Sequence, residues 1–411
     1  MTTTSTFVIA GGGLAAAKAA EALRANDFDG GIVIMGMEDH LPYERPPLSK
    51  EFLADKKSLE DFTVHDSAWY RDSDVEFRSR TEITAIDRPT HTVVLADGAT
   101  VGYDKLLLAT GSRSRRPRIP GADAVGVHYL RSYDDAAELK SVLREGSALA
   151  IVGAGWIGLE VAAGARSHGV DVTVVEAARL PLLGALGAEA AQVYADLHRE
   201  HGVHLHLETN VDEITTSSGT ATGLRLADGT TIPADAVLVA VGAAPNIEIA
   251  EQAGLEIGDG GVLVDAALRS SDPDIFAVGD IAAAQHPFFG TRIRTEHWAN
   301  ALNQPAIAAE NMLGGTAEYD ELPYFFTDQY DLGMEYVGHA PDYAQVVFRG
   351  DVEKREFIAF WLDAQNRVLA GMNVNVWDVV DEIKAMIRSR QPATVTQLTD
   401  LQIPLTTSGG D

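Results

Sequence analysis

Two glycine-rich fingerprints place the strongest constraint on how this 411-residue chain can fold. The fingerprint residues are Gly11, Gly12, Gly13 and Ala16 in the first copy, and Gly153, Ala154, Gly155 and Gly158 in the second. Glycines in such a turn let the backbone bend sharply and let a pyrophosphate approach the positive end of a helix. One match can arise from packing alone. Two matches, each between a strand pattern and a helix pattern, predict two dinucleotide-binding units.

The pattern around each fingerprint repeats along the chain. Short apolar runs predict buried strands before each turn, and alanine-rich segments predict helices after it: Phe7–Ala10 and Ala15–Leu23 in the first copy, Leu149–Val152 and Ile157–Ala165 in the second. An Asp-Gly hairpin turn follows in each copy, at Asp97-Gly98 and at Asp228-Gly229. From about Pro323, strand patterns precede a helix predicted over Val379–Ile387. We therefore expect an α/β fold with two Rossmann-like domains and a C-terminal α+β domain.

Composition excludes several classes of function. The net charge of −28 argues against nucleic acid as a partner, because phosphate binding depends on Lys and Arg. No apolar run approaches the 18 or so residues that a membrane span needs, and no basic signal-peptide segment precedes the first fingerprint, so we expect a cytoplasmic protein. The sequence has no cysteine, which removes any mechanism that carries electrons through a thiol or disulfide.

Five short segments carry a resemblance to a known family: Pro42–Lys50, Ala109-Thr110-Gly111, Gly242–Asn246, Val278-Gly279-Asp280 and Phe326–Tyr330. With these segments the chain resembles, over almost its whole length, the FAD-dependent NADH:ferredoxin reductases that supply oxygenases and cytochromes P450, within the glutathione-reductase-like superfamily. The resemblance implies a discontinuous FAD domain (1–111 and 246–322), an inserted NADH domain (112–245) and a C-terminal domain (323–411).

The resemblance also implies which residues bind the two cofactors. Those expected to bind FAD are Gly11, Gly13, Ala16, Glu38, Arg45, Lys50, Ala109, Thr110, Gly111, Gly279, Asp280 and Trp298. Those expected to bind NAD(H) are Gly153, Gly155, Ile157, Gly158, Glu160, Glu176 and Gly242. No metal site is expected.

The two fingerprint units differ in the acidic residue that could bind the ribose of the nucleotide. Glu176 closes the strand roughly twenty residues after the second turn, where a carboxylate can accept the ribose 2′-OH and repel a 2′-phosphate. NADH is therefore expected in preference to NADPH, although Arg179 is close enough to weaken that preference. In the first copy Met37 occupies the position where the family has an acid, and Glu38 follows it as the alternative ribose ligand.

Two FAD candidates also have a structural interpretation. Asp280 resembles the carboxylate that accepts a flavin ribitol hydroxyl, but Asp is also a favoured helix N-cap. Trp298 could lie beside the flavin or in the core. It begins a helix predicted to run to Met312, and Pro305 should kink or interrupt that helix.

Lys50 and Glu160 are the catalytic candidates. In the family that the chain resembles, the matching lysine and glutamate lie together near flavin N5, where hydride arrives. A carboxylate near a helix N-terminus is favoured in any case, so Glu160 alone does not establish catalysis. Four histidines, His198, His201, His204 and His206, suggest a metal site, but no ligand set accompanies them, and we interpret them as solvated surface residues.

The resemblance implies that the electron acceptor is a small [2Fe-2S] ferredoxin. Such ferredoxins are usually acidic, so docking onto this acidic chain would need a local basic patch, for which Arg292 and Arg294 are candidates. Two alternatives remain open from the sequence: an NADH:quinone or dye reductase without a ferredoxin, and an NADH-sensing flavoprotein similar to apoptosis-inducing factor.

Overall fold

The chain divides into two compact units, each built from segments that are distant in sequence. The computed structural model describes residues 5–405. The first unit comprises the described residues up to Glu44, together with Leu59–Arg113 and Ala243–Pro323. The second unit comprises Arg45–Ser58, Ser114–Gly242 and the described residues from Tyr324 onward.

A five-stranded parallel sheet forms the centre of the first unit. Its strands, in spatial order, are Ile275–Ala277, Lys105–Leu108, Thr6–Ala10, Gly31–Met35 and Val75–Arg78. The three central strands are almost wholly apolar and buried, as expected for a parallel sheet that is covered on both faces. The fingerprint turn after Ala10 therefore lies at the carboxyl edge of this sheet, beside the ends of the neighbouring strands.

Helices and two smaller sheets complete the first unit. The α-helices are Leu14–Ala25, Ser67–Asp72, Glu248–Gln252 and Trp298–Met312, with 3₁₀ turns at Leu59–Phe62 and Gly279–Ile281. One antiparallel sheet contains Ile83–Asp87, Thr92–Leu95 and Thr100–Gly102. The other sheet contains Ile257–Gly258, Gly261–Val264, Ala282–His286 and Thr291–Ile293. The strands Ser112–Ser114 and Ala243–Pro245 occur where the chain passes between units.

The second unit repeats the arrangement around its own parallel sheet. The strand order is His204–His206, Asp171–Val175, Ala148–Val152, Ala236–Val239 and Val127–His128. The associated helices are Tyr133–Val142, Trp156–Ser167 and Leu183–Glu200, with a 3₁₀ turn at Pro46–Ser49. Strands Val211–Ser217, Thr220–Leu226 and Thr231–Pro233 form a small antiparallel sheet.

The C-terminal part of the second unit is a five-stranded antiparallel sheet. Its spatial order is Tyr324–Gln329, Leu332–Gly338, Val368–Val374, Glu356–Leu362 and Gln345–Asp351. Two helices follow, Val380–Ser389 and Val395–Thr399. Buried Ile383 and Ile387 lie one turn apart on the first of these helices, so this helix contributes to the core, as its apolar spacing predicts.

A row of aromatic rings joins the second fingerprint helix to the C-terminal sheet within this unit. The Trp156 ring lies 5.0 Å from Phe325, which stacks on Tyr336 at 5.1 Å, and Tyr336 lies 5.3 Å from Trp361. The Trp361 indole N–H also donates a 3.1 Å hydrogen bond to the Leu186 carbonyl. These ring contacts hold the fingerprint helix against strand Tyr324–Gln329, and they continue to Trp361, whose polar N–H is satisfied.

The fold class predicted from the sequence is confirmed, and most predicted elements lie within two residues of the observed bounds. Pro305 is predicted to kink or interrupt its helix; the interruption is wrong, since the helix runs from Trp298 to Met312, and the kink stays a prediction. Pro305 is buried, and this helix packs along the first fingerprint helix, Leu14–Ala25. Tertiary packing thus offsets the hydrogen bond that a proline removes from a helix interior.

Candidate functional site

The first fingerprint turn brings two backbone segments into close contact. Gly11 has a φ of 122°, and a Cβ there would lie 2.1 Å from the Ala109 carbonyl oxygen, so only glycine fits. Gly13 is the N-cap of helix Leu14–Ala25, and apart from its neighbours in the chain a Cβ placed on it would meet no atom of the described residues within 4 Å. This N-cap makes no side-chain hydrogen bond to the first turn, and a helix N-terminus without a side-chain cap suits an anion.

The second fingerprint turn has the same geometry. Gly153 has a φ of 102°, and a Cβ there would lie 2.5 Å from the Ala240 carbonyl oxygen. At Gly158 a Cβ would lie 2.3 Å from the Gly153 carbonyl oxygen, so the helix packs directly on the strand end. Gly155, the helix N-cap, borders open space in the described part of the chain, as Gly13 does. Both turns therefore fit a dinucleotide pyrophosphate.

Glu176 is held at the end of the strand that adjoins the second turn. Its two carboxylate oxygens accept 2.8 Å hydrogen bonds from the backbone N–H groups of Ala154 and Ala178. The side chain is half-buried, and Arg179 nearby in the chain is exposed. A carboxylate fixed in this way keeps lone pairs for a ribose diol, and its charge disfavours a phosphate.

At the corresponding place in the first unit, Met37 and Glu38 differ sharply in exposure. The Met37 side chain is 70% exposed, whereas Glu38 is half-buried and accepts a hydrogen bond from the Tyr43 hydroxyl. The structure thus orients a carboxylate at Glu38 and leaves Met37 in solvent. That Glu38 is the ribose ligand, in place of the acid that the family has at the position of Met37, stays a prediction.

Asp280 lies in a buried polar cluster at the end of strand Ile275–Ala277. It is 8% exposed and accepts a 2.6 Å hydrogen bond from the Ser112 hydroxyl. The N–H of Gly279 donates to the Gln304 side chain at 2.7 Å. Asp280 lies inside the 3₁₀ turn Gly279–Ile281 and is not the N-cap, which is Val278. The N-cap interpretation of Asp280 is therefore wrong.

Residues Ala109, Thr110 and Gly111 close the neighbouring strand end, and a pair of bonds ties them to Asn246. The Thr110 hydroxyl donates to the Asn246 carbonyl at 2.7 Å, and the Asn246 side-chain amide donates to the Thr110 carbonyl at 2.9 Å. Gly111 has a φ of 62°. These bonds fix the backbone beside the first fingerprint turn, since Gly11 approaches Ala109 directly.

The remaining cofactor candidates occupy several positions. Ala16 is fully buried beneath the first turn, and Trp298, half-buried, is the first residue of its helix. The Arg45 guanidinium donates to the Arg131 carbonyl at 2.5 Å within the second unit. Ile157 is 42% exposed on the second fingerprint helix. Gly242 is exposed with a φ of 100°, and its carbonyl accepts from the Arg115 N–H.

Lys50 and Glu160 form a buried ion pair in the second unit. The Lys50 Nζ lies 3.0 Å from Glu160 Oε1, and their side chains are 9% and 6% exposed. Glu160 Oε1 also accepts a 2.6 Å hydrogen bond from the Thr327 hydroxyl, and Glu160 Oε2 accepts from the Ser49 hydroxyl. The Lys50 Nζ lies 5.3 Å from the centre of the Phe326 ring. A buried carboxylate needs such partners, because an unpaired one is strongly destabilising.

Asp328 adds a second carboxylate beside this pair. Burial raises the pKa of Asp328, the Lys50 charge opposes that rise, and the Glu160 charge adds to it. Asp328 follows Thr327 directly on strand Tyr324–Gln329, so the two residues differ in burial: Thr327 is buried and Asp328 is exposed.

Sequence reasoning missed Ser49, Thr327 and Gln329 as site residues. Two of them, Thr327 and Gln329, belong to the segment Phe326–Tyr330 that carries the family resemblance, and Ser49 precedes Lys50 in another such segment. For Thr327 and Gln329 the sequence did offer a signal: they lie two residues apart on one strand, and such residues point to the same face.

Arg292 and Arg294 are half-buried and bind the backbone of their own unit. Arg292 donates to the carbonyls of Val264 and Ala283, at 2.8 and 3.3 Å. Arg294 donates to the Asp280 carbonyl at 3.1 Å and pairs with Glu296 at 2.8 Å. Both guanidinium groups therefore have structural roles in the first unit. A role in binding a ferredoxin would be additional to these contacts.

Comparisons with known proteins place this geometry in a family. A sequence model of the pyridine nucleotide-disulphide oxidoreductases matches residues 5–304, and a reductase C-terminal model matches residues 324–408. The ferredoxin–NAD(+) reductase component of the anthranilate 1,2-dioxygenase system of Burkholderia cepacia is 40% identical over 402 residues, covering 98% of both chains. The chain belongs to the ferredoxin reductases of this family.

Two further ferredoxin reductases extend the likeness. Rhodocoxin reductase of Rhodococcus erythropolis is 37% identical over 399 residues, covering 97% of this chain and 93% of that protein. The crystal structure of the covalent putidaredoxin reductase–putidaredoxin complex matches with a TM-score of 0.94 at 34% identity, covering 98% of this chain and 97% of that chain. The resemblance predicted from the sequence is confirmed.

Among residues 5–405 no group of three or more His, Asp or Glu side chains is arranged to hold a metal ion. Within the same residues, no helix of this ferredoxin reductase combines the length and the apolar character needed to cross a membrane.

The histidine group does not form one solvated surface, and that interpretation was wrong for His198. His198 is fully buried on helix Leu183–Glu200, and its Nε2 lies 2.8 Å from Gln329 Oε1. Burial lowers the pKa of His198 to about 4. His201 stacks on the Tyr330 ring at 3.7 Å, whereas His204 is exposed. The helical spacing of His198 did not reveal its burial, because the covering strand Tyr324–Gln329 is distant in sequence.

Because His198 is buried, we expect the free energy of unfolding to decrease as the pH falls. The folded-state pKa lies below the usual value of about 6.5, so the unfolded chain takes up the proton first as the pH falls. The contribution of neutral His198 to the free energy of unfolding is fully present above pH 6.5 and is lost toward pH 4; the loss is about 2 kcal/mol at pH 5. We expect His198→Gln to lose less stability than the parent between pH 7.5 and pH 5, as measured by denaturant unfolding.

His204→Gln, at an exposed histidine on the adjacent strand, is the control and should keep the parent's pH dependence. The same pH dependence in His198→Gln and the parent would show that His198 is not the titrating group.

Proposed function

We propose that this ferredoxin reductase transfers hydride from NADH to bound FAD and delivers the electrons one at a time to a small [2Fe-2S] ferredoxin. That ferredoxin would supply a cytochrome P450 or a Rieske-type oxygenase. The observation that carries the proposal is the pair of fingerprint turns, each with an open helix N-terminus, in a chain without cysteine. Two nucleotide sites and no thiol require that electrons leave the flavin directly to an external acceptor.

The proposal assigns the cofactors to different parts of the chain. FAD is bound by the domain of residues 1–111 and 246–322, NADH by residues 112–245, and residues 323–411 form the C-terminal domain. The open N-terminus at Gly13 supports FAD in the first, and the open N-terminus at Gly155 supports NADH in the second. When bound, FAD supplies the two-electron to one-electron conversion that the reaction needs.

The residues proposed to hold FAD have distinct tasks. The N–H groups after Gly13 bind the pyrophosphate, and Glu38 accepts the ribose hydroxyls. Asp280, already oriented by Ser112, accepts a ribitol hydroxyl. Trp298 begins a helix whose positive end can stabilise negative charge on the reduced ring. Arg45, Lys50 and the segment Ala109–Gly111 complete the proposed set.

The residues proposed to hold NADH form a second set. The turn at Gly153, Gly155 and Gly158, which is open at Gly155, takes the pyrophosphate, with Ile157 and Gly242 beside the nucleotide path. Glu176 accepts the ribose diol through a carboxylate that the Ala154 and Ala178 N–H groups already orient. Its negative charge makes NADH the preferred donor over NADPH.

Glu160 and Lys50 are proposed to act where hydride is transferred. Their pairing holds a positive charge and a negative charge in a water-poor environment, where electrostatic effects on a reaction are large. Ser49 and Thr327 fix the orientation of the carboxylate, so that it does not need to reorganise during the reaction.

The experiment that tests the function measures NADH-driven cytochrome c reduction by the FAD-loaded protein, with and without [2Fe-2S] ferredoxins, including putidaredoxin. We expect reduction to depend on a ferredoxin. Equal rates without any ferredoxin, together with equally fast reduction of quinones, would contradict the proposal and favour a quinone or dye reductase.

Replacing Glu160 tests its role in hydride transfer. We expect Glu160→Ala to slow flavin reduction by NADH roughly 10-fold or more, about 1.4 kcal/mol in the barrier, while FAD remains bound. The measurement is stopped-flow absorbance of the flavin under anaerobic conditions. Glu189→Ala, at an exposed glutamate of the same unit, should react at the parent rate. Equal rates in Glu160→Ala and the parent would exclude the role.

Replacing Asp280 tests FAD binding. Asp280→Ala removes the buried acceptor that Ser112 orients, so we expect FAD to be lost on gel filtration. The ratio of flavin to protein absorbance measures the loss. Asp29→Ala, at an exposed aspartate of the same unit, should keep its full flavin content. Full retention in Asp280→Ala would show that the carboxylate does not hold FAD.

Replacing Glu176 tests the choice of nicotinamide cofactor. We expect Glu176→Gln to raise the ratio of kcat/KM for NADPH to that for NADH roughly 10-fold, since the repulsion of a 2′-phosphate is removed. Arg179→Ala should shift the ratio the opposite way, because it removes a cation that can attract the phosphate. A ratio unchanged in both variants would place the ribose elsewhere.

The docking position near Arg292 and Arg294 can be tested by charge removal. We expect Arg294→Gln to raise the KM for ferredoxin several-fold at low ionic strength, and the difference to shrink as salt screens the charges. Because Arg294 also binds the Asp280 carbonyl, flavin content is measured in parallel. Arg118→Gln removes an equal charge at an exposed position and is the control. Equal KM values in the two variants would place docking elsewhere.

A further inference from the structure

A chain of hydrogen bonds between buried side chains leads from His198 to Glu160 inside the second unit. His198 Nε2 lies 2.8 Å from Gln329 Oε1, Gln329 Nε2 lies 3.2 Å from Thr327 Oγ1, and Thr327 Oγ1 lies 2.6 Å from Glu160 Oε1. His198, Gln329, Thr327 and Glu160 are 0%, 1%, 1% and 6% exposed. Buried polar groups in such a chain depend on one another, because solvent cannot replace a lost partner.

The carboxylate determines the direction of every bond in the chain. An ionised Glu160 can only accept, so the Thr327 hydroxyl hydrogen must point to Glu160. The Thr327 oxygen then accepts from the Gln329 amide nitrogen. This orientation leaves the Gln329 oxygen facing His198, whose Nε2 must therefore carry a hydrogen.

The remaining nitrogen of His198 agrees with that direction. A neutral imidazole with a hydrogen on Nε2 has an acceptor at Nδ1, and the Tyr330 hydroxyl lies 3.5 Å from Nδ1. The neighbouring His201 ring stacks on Tyr330 at 3.7 Å and holds that ring in place. His198 is thus a neutral donor at one end of the chain, and the Glu160 carboxylate is the acceptor at the other.

We propose that Gln329 and His198 help to position Glu160 through Thr327, which with Ser49 orients the carboxylate, by keeping the Thr327 hydroxyl directed at it. This inference rests on the proposed role of Glu160 in hydride transfer. The Thr327 hydrogen bond and the Lys50 ion pair meet at the same oxygen, Glu160 Oε1, so the hydroxyl fixes where that oxygen lies relative to Lys50. Within this hydrogen-bond chain Thr327 is the member that bonds to the carboxylate, so Gln329 and His198 are proposed to act only indirectly.

Several other charged or titratable groups face Glu160, and they define the background of the test. Lys50 lies on the segment after the 3₁₀ turn Pro46–Ser49, Asp328 lies on strand Tyr324–Gln329, and Tyr194 lies on helix Leu183–Glu200. Burial raises the pKa of Tyr194, and the Glu160 charge adds to that rise. None of these groups is changed by substitution at Thr327 or Gln329.

The test compares Thr327→Val, which keeps the shape but removes the donor, with Thr327→Ser, which keeps the hydroxyl. The rate of flavin reduction by NADH in the FAD-loaded protein is measured by stopped flow from pH 5 to pH 9. We expect the acid limb of the profile to move up by about one pH unit in Thr327→Val, since a carboxylate that loses a donor is protonated more readily. Thr327→Ser should keep the parent profile.

A packing role alone would change stability or flavin content but would not move the acid limb. Thr327→Val with full flavin content and the parent profile would overturn the proposal. Gln329→Met, which retains length but breaks the chain one residue further away, should shift the limb in the same direction by a smaller amount. It also provides a second variant if Thr327→Val does not fold.

A readout that does not use the reaction checks the direction of the chain. With ¹⁵N-labelled histidine, and with His198→Asn to assign the signal, we expect His198 to be the neutral Nε2–H tautomer from pH 8 to pH 5.5. In Gln329→Met this signal should lose its fixed tautomer. A hydrogen on Nδ1 in the parent protein would overturn the proposal.

The two measurements also separate failure of the function from failure of this inference. If NADH does not reduce the flavin of the parent protein at all, the proposed function fails, while the histidine tautomer still reports on the chain. If NADH reduces the flavin and Thr327→Val keeps the parent profile, only the positioning role fails.

Discussion

The Glu160 carboxylate is the group on which the organisation of the second unit depends. A charge with only 6% exposure must have partners, and its partners come from two stretches that are distant from it in sequence. Ser49 and Lys50 reach it from the segment Arg45–Ser58, and Thr327 reaches it from the C-terminal sheet. The fingerprint helix, the short Pro-rich segment and strand Tyr324–Gln329 are therefore held together by one polar cluster as well as by aromatic packing.

Local patterns in the sequence predicted the parts of the fold that depend on neighbouring residues. Both fingerprint turns, the strands beside them and the C-terminal strands Glu356–Leu362 and Val368–Val374 follow from glycine spacing and runs of apolar residues. The family segments predicted the ferredoxin reductase family, which the comparisons confirm. In the candidate site, Lys50 and Glu160 were expected together only through that resemblance, and the structure shows them as an ion pair.

Features that depend on distant residues could not be predicted in this way. His198 lies one helical turn from the half-buried His201, yet it is fully buried and bonds to Gln329, which lies on a strand distant in sequence. Pro305 has the local chemistry of a helix breaker, yet its helix continues in a packed environment. Asp280 is a residue type favoured at helix N-caps, but it lies inside the 3₁₀ turn Gly279–Ile281. In each case the tertiary environment overrides the local preference, and the residues on either side in the sequence contain no direct record of that environment.

The path of the chain between the two units has a consequence for biosynthesis. The chain changes unit after Glu44, Ser58, Arg113, Gly242 and Pro323, so neither unit is a contiguous stretch that a ribosome could release and let fold on its own. The Glu160 cluster cannot be completed until Thr327 has emerged, although Lys50 and Glu160 are synthesised much earlier. Until then the face of the fingerprint helix that packs on strand Tyr324–Gln329 stays exposed in the unfinished chain. Contacts of such long sequence separation slow folding, so this chain is expected to depend on protection from aggregation during synthesis more than a protein of the same size made of consecutive domains.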